Sequence, residues 1–237
     1  MMNLDFLIFG AHPDDVEIGM GGTIAKYVSE GFKIGICNIT NAELSSNGTV
    51  SLRQEEATKA EKVLGIAVRE QLDIPDRGIY IQEDNVKEVV AIIRKWKPKV
   101  IFFPYHIDRH PDHGNCAALV REAIFSAKIK KFNDKNSLPA HQVEKQYSYM
   151  INGFHKPNFF VDITDFIHKK QEALSCYRSQ FEKEEGGEDT PLTSNYISSV
   201  ISREKVFGKE IGVGYAEGFF AESPLVLHHD LVGGARK

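Results

Sequence analysis

"LDFLIFGAHPDDVEIGMGG" occupies residues 4–22, and its reading decides the fold. Residues 4–10 are almost continuously apolar and end in Gly10. That is the pattern of a strand buried on both faces of a parallel sheet. Residues 20–30, "MGGTIAKYVSE", suit a helix closed by Gly31. A strand, a glycine-spotted turn and a helix ordinarily make a nucleotide site. This turn, however, holds a histidine and two adjacent aspartates. It lacks G-x-G-x-x-G, and Asp14 and Asp15 would repel a pyrophosphate where backbone N–H groups should cradle it. "GMGG" comes later and reads as close packing of helix on sheet, and no Walker A pattern is present. The opening turn therefore suits a cation.

Outward from this stretch, apolar runs predict strands over 32–40, 68–74 and 99–104. Helices are predicted over 51–64, 84–96 and 114–130, the first opening on a Ser51–Gln54 capping box. The second half is less regular. "QYSYMING" and "FFVDIT" read as strands, and 165–181 and 195–209 as helices. Loop 182–195, charged and glycine-bearing, is a candidate lid. Alternating strands and helices argue for an α/β fold, a mostly parallel sheet with helices on both faces. No repeat or linker divides the chain, so residues 1–237 are expected to form a single domain.

Composition narrows the function. A net charge of -4 over 237 residues leaves no electrostatic footprint for nucleic acid. No apolar run approaches the ~18 residues of a membrane span. The N-terminus lacks the basic and cleavage-site features of a signal peptide. Cys37, Cys116 and Cys176 are odd in number and without CxxC spacing, as expected of reduced thiols in a cytoplasmic protein.

A second loop matches the first. "YHIDRHPDHGN" (105–115) follows the apolar run "KVIFFP". In a doubly wound sheet the first strand lies beside the first strand of the second half, and ligands bind at their carboxyl ends. That topology would gather His12, Asp14, Asp15, His110, Asp112 and His113 into one crevice. A catalytic zinc takes about three N/O ligands and leaves a position for water. Of two adjacent aspartates, one can ligate while the other stays free as a base. Of two histidines in His-x-x-His, one can reach the metal while the other faces substrate, and an Asp beside a His can orient its ring. The plainer alternative has Asp14, Asp15 and Glu17 favouring a helix N-terminus, Asp112 capping the next helix and His12 packing in the core.

Arg53 and Arg109 are candidates for binding a carboxylate-bearing substrate, because a planar guanidinium suits carboxylates. Surface pairing with Glu56 and Asp108 is the alternative. Tyr196, which follows the candidate lid, is a third substrate-side candidate, with helix packing as its alternative. His106 is expected to pack beneath the site. "GYAEGFF" reads as core or subunit contact, and the adjacent His228 and His229 as exposed tail.

"AHPDDVEIGMGG" and "HPDHGN", with "LRQEEATKAEKVLG" (52–65) and "GYAEGFFAE" (214–222), resemble the PIG-L/LmbE-like zinc-dependent deacetylases over nearly the whole chain. Within that family the wording is most similar to the group that deacetylates N-acetylglucosaminyl malate in bacillithiol biosynthesis. The resemblance implies a Rossmann-like fold and Zn2+ held by His12, Asp15 and His113. It implies Asp14 as general base, and charged His110, oriented by Asp112, as stabiliser of the oxyanion. It also implies an amino-sugar substrate and a homo-oligomer, a hexamer among the most similar members. Iron(II) could fill the same ligand set. Other readings are a deacetylase of another N-acetyl sugar, an amidase of thiol conjugates, and a non-catalytic metal or nucleotide sensor.

Overall fold

The computed structural model describes residues 2–183 and 185–226. The chain runs β1 (Phe6–Gly10), α1 (Asp15–Ser29), β2 (Ile34–Asn38), α2 (Val50–Leu64), β3 (Val68–Gln71), α3 (Glu83–Trp96), β4 (Val100–Pro104) and α4 (Pro111–Ala127). It continues through β5 (Lys145–Tyr149), β6 (Phe159–Asp162), α5 (Ile167–Leu174), the single turn α6 (Arg178–Phe181), α7 (Tyr196–Ile211) and β7 (Ala216–Ala221). The sheet order is β3-β2-β1-β4-β5-β7-β6. The first five strands are parallel, and β7 runs antiparallel to both its neighbours. This is the mostly parallel, Rossmann-like α/β sheet that the sequence led us to expect.

Side chains of β1 alternate between two cores. Leu7 and Phe9 join residues of α3 and α4 on one face. Phe6 and Ile8 join residues of α1, α2 and α5 on the other. Both faces are covered, which is why β1 reads as an unbroken apolar run. The "GMGG" glycines let α1 sit close. A Cβ on Gly19 would lie 2.1 Å from the Tyr149 ring, and one on Gly22 would lie 2.6 Å from Ile163.

Helix α1 is broken at Met20 (φ −151°, ψ 25°), and a buried charge network holds the break. Arg203 Nη2 donates to the Ile18 carbonyl at 3.4 Å, at the end of the first segment. The Glu217 carboxylate accepts from the Gly22 and Thr23 N–H groups at 3.0 and 2.6 Å, at the start of the second. Each charge matches the partial charge of the helix end it meets. Lys170 Nζ joins Glu217 and Glu204 at 2.6 and 2.7 Å, and Arg203 pairs with Glu204 at 2.9 Å. Thus "GYAEGFF" supplies a core strand whose one acid, Glu217, is fully buried and paired.

Several boundaries differ from expectation. Helix α2 is capped by Thr49, whose hydroxyl accepts from Leu52 N–H, rather than by Ser51. The helix expected over 165–181 is divided into a 3-10 turn (Thr164–Phe166), α5 and α6. The division follows from tertiary contacts. Tyr177 turns inward to donate from its hydroxyl to Glu17 at 2.9 Å, and the Glu56 carboxylate binds Ser179 N–H and hydroxyl at the start of α6. Among the described residues no helix is long and apolar enough to cross a membrane. His228 and His229 lie outside the described residues.

Candidate metal centre and active site

Because β1 and β4 are neighbours, their carboxyl ends carry the two His–Pro–Asp loops into one crevice. The first loop is closed by the His12 N–H, which donates to Asp15 Oδ2 at 2.8 Å. The second opens α4, with His110 at the N-cap and Pro111 in the first turn, where its missing N–H costs nothing. The rings of His12, His110 and His113 cluster with centroids 4.8, 5.7 and 4.9 Å apart. One ligand atom from each of these rings lies within 4.8 Å of the others.

The Asp15 carboxylate sits between two of the rings. Its Oδ2 is 3.4 Å from His12 Nδ1 and its Oδ1 is 3.2 Å from His113 Nε2. His12, Asp15 and His113, expected as ligands, are thus brought together and buried. Burial alone would raise the Asp15 pKa, but His113 and His12 hold it well below the usual carboxylate range. Burial would likewise lower His113, yet Asp15 and Asp108 carry it up to about 9. Imidazole nitrogens and a carboxylate crowding one buried point form a donor set suited to a divalent cation of the zinc type.

Asp14 lines the same crevice but is paired with Arg53. It occupies a left-handed backbone conformation (φ 119°, ψ −28°) at the head of α1. Its Oδ2 accepts from Arg53 Nη2 at 2.9 Å. Burial pushes its pKa up to about 7, with Asp15 and Glu17 adding to the shift and Arg53 opposing it. Arg53 is itself 5% exposed, tied by Nε to the Pro13 carbonyl at 2.8 Å. It therefore stands beside Asp14 while lining the crevice, and the surface pair with Glu56 does not form. Its Nη1 is buried without a hydrogen-bond partner.

The expected pairing of Asp112 with the His110 ring is replaced by another. Asp112 sends its carboxylate to Arg77, accepting from Nη1 at 2.6 Å and from the backbone N–H at 2.9 Å. It is the Asp112 backbone N–H that meets His110 Nδ1, at 3.3 Å, because the start of α4 turns the side chain away. With Nδ1 as acceptor, the neutral ring carries its proton on Nε2. Burial, with His12 and His113, holds the His110 pKa below the ordinary imidazole value.

A cavity of about 470 Å³ opens over these groups. Leu44 to Asn47 form one wall, and Thr190 to Leu192, from the candidate lid, form another. Arg109 is exposed and lines the cavity. Tyr196 also lines it, and its hydroxyl donates to Asn152 Oδ1 at 2.9 Å. His106 is exposed, not packed beneath the site.

Sequence reasoning missed Asp76, Arg77 and Asn152, and read Asp108 only as a surface partner for Arg109. Asp76 Oδ1 lies 3.2 Å from His12 Nε2. Asp108 Oδ1 lies 3.0 Å from His113 Nδ1, an ion-pair contact rather than an aligned hydrogen bond. Asn152 donates to Asp108 from its backbone and side-chain nitrogens, both at 3.0 Å. "IPDRG" (74–78) follows a weak strand, and its Pro, Asp and Gly signal only a turn.

Comparison with known proteins agrees with this geometry. Residues 7–124 match the family model of PIG-L, GlcNAc-PI de-N-acetylase. The diacetylchitobiose deacetylase of Thermococcus kodakarensis is 30% identical over 92% of this chain and 82% of its own. The crystal structure of the conserved protein TT1542 from Thermus thermophilus superposes with a TM-score of 0.87 at 32% identity, covering 99% of this chain and all of that one. A probable N-acetyl-alpha-D-glucosaminyl L-malate deacetylase 2 of Bacillus anthracis is 24% identical over 74% of this chain and 80% of its own. The chain belongs to the PIG-L family and, with it, to the metal-dependent enzymes that hydrolyse N-acetyl amides.

Proposed function

We propose that this protein is a zinc-dependent hydrolase that removes the N-acetyl group of an N-acetylglucosaminyl conjugate, with N-acetyl-alpha-D-glucosaminyl L-malate of bacillithiol biosynthesis as its substrate. The observation that carries the reading is Asp14. It is a buried carboxylate with its pKa raised to about 7, next in the chain to Asp15, whose carboxylate meets His12 and His113, and it is paired instead with Arg53. When bound there, the metal supplies Lewis acidity to the amide oxygen and lowers the pKa of water. Asp14 takes one proton from the attacking water and passes it to the departing amine nitrogen, giving acetate and a free amino sugar. His110 donates its Nε2–H to the carbonyl oxygen as charge develops on it. Arg53 holds the Asp14 carboxylate in place.

Two guanidinium groups in one cavity, those of Arg53 and Arg109, support a dicarboxylate such as malate as the aglycone. Tyr196 stands on the same wall for contact with the sugar. Three free thiols support a cytoplasmic setting. The hexamer carried over from the family is tested by light scattering after size exclusion.

The decisive experiment compares kcat/KM for acetate release from N-acetylglucosaminyl malate, diacetylchitobiose, N-acetylglucosamine and a thiol-conjugated amide, with and without chelator. We expect the malate conjugate to lead and the chelator to abolish turnover. Preference for diacetylchitobiose would reassign the aglycone. No acetate from any of the four, with a full equivalent of metal bound, would overturn the deacetylase reading.

A further inference from the structure

We infer that Asp76, from the loop after β3, is the positioning residue that fixes the ring orientation and tautomer of His12 for metal binding. The inference rests on the ligand set proposed above. His12 has two ring nitrogens with different surroundings. Nδ1 faces Asp15, which in turn faces His113 Nε2. Nε2 points the other way, 3.2 Å from Asp76 Oδ1 and 3.7 Å from Asp112 Oδ2.

The two carboxylates on the Nε2 side are not equivalent. Both Asp112 oxygens are committed to Arg77, one to its guanidinium and one to its backbone N–H. Asp76 uses Oδ2 to accept from the Leu44 N–H at 3.2 Å and keeps Oδ1 for His12. Glu43 Oε1 accepts from the Asp76 N–H at 2.7 Å and so anchors the loop itself. A carboxylate facing Nε2 places the ring proton there and leaves the Nδ1 lone pair for the metal. It also makes that lone pair more basic. The arrangement at His113 is matched, with Nε2 inward and Nδ1 against Asp108. Because Leu44 lines the cavity, Asp76 also joins the wall that meets substrate to the group that meets metal.

The test measures Zn2+ affinity by chelator competition, together with the thermal midpoint of the metal-free protein, for wild type, Asp76→Leu, Asp76→Asn and Asp15→Ala. Asp76→Leu should raise the Kd roughly 10–100-fold. Asp76→Asn, whose amide oxygen still accepts from Nε2–H, should recover most of that loss. A purely structural role would lower the metal-free midpoint and leave the Kd near wild type, and that result would overturn the inference. Asp15→Ala separates the two readings. If it loses zinc while Asp76→Leu binds normally, only the role of Asp76 fails. If Asp15→Ala also binds normally, the ligand set itself is wrong. His12, Asp76 and Asp112 are close enough to hold an ion of their own. A second bound equivalent that Asp76→Leu alone abolishes would also overturn the positioning role. Should Asp76→Leu not fold, 15N spectra of the zinc-loaded wild type decide. We expect the His12 proton on Nε2, and a proton on Nδ1 would refute the inference.

Discussion

Replacing Asp14 by Asn isolates proton transfer better than any other single change at this site. Asp14 sits at φ 119°, a region where Asn is several-fold enriched and Ala adds strain. Asn keeps the shape and one acceptor for Arg53 Nη2, now 2.9 Å from the carboxylate. It removes the proton acceptor and leaves His12, Asp15 and His113 untouched. General-base catalysis contributes roughly 10²–10⁴-fold, or about 2.7–5.4 kcal/mol of transition-state stabilisation. Asp14→Asn should therefore lower kcat by at least ~100-fold with zinc content and KM close to wild type.

A stability cost accompanies it. Arg53, 5% exposed and with Nη1 already unpartnered, loses its counter-ion. Leaving a buried charge unpaired costs about 3–5 kcal/mol, a fall of roughly 6–20 °C in midpoint for a chain of this size. Acetate release is accordingly measured well below the variant's own midpoint, on protein purified free of wild type and assayed for metal. Turnover within roughly tenfold of wild type, with a full equivalent of zinc, would refute Asp14 as the base. Lost turnover accompanied by lost zinc would assign Asp14 to the ligand set instead.

Glu217→Ala leaves the buried Gly22 and Thr23 N–H groups without their acceptor and takes away one of the two carboxylates that meet Lys170, so stability should fall by about 3–5 kcal/mol in chemical denaturation. A loss under about 1 kcal/mol would show that the broken α1 does not depend on this carboxylate. Burial acts to raise the Glu204 pKa, but Arg203 and Lys170 outweigh it and hold the value below the usual range. The folded pKa is thus depressed. Its stabilisation is fully present above the unfolded value near 4.5 and is lost as pH falls through the lower folded value. The acid limb of a stability–pH curve should be shallower in Glu204→Gln, and an unchanged slope would contradict this. Adding zinc at 100 times its Kd to the stripped protein should stabilise it by about 2.7 kcal/mol, read as a rise in thermal midpoint. An unshifted midpoint in wild type would mean that no ion binds the native state selectively.

The architecture was legible because local chemistry and tertiary role coincide in particular segments. Residues 6–9 and 100–103 are apolar on both faces because helices cover both faces. Pro111 and the acids around the two turns mark helix starts, and the paired histidine–aspartate motifs end the two central strands. The helix expected over 165–181 fails as a single unit because Tyr177, Ser179 and Glu56 satisfy one another across the fold, and no periodicity along 165–181 encodes that contact.

The sequence by itself determined where cation-binding side chains are concentrated, since His and Asp carry their chemistry wherever they are placed. The tertiary structure decided what each of them faces. It set Asp76 against His12, Arg53 against Asp14, and the Asp112 carboxylate against Arg77 instead of His110. These choices depend on side chains 64, 39 and 35 residues apart meeting at one end of the sheet. Spacing along a chain does not specify such meetings; strand order and burial do.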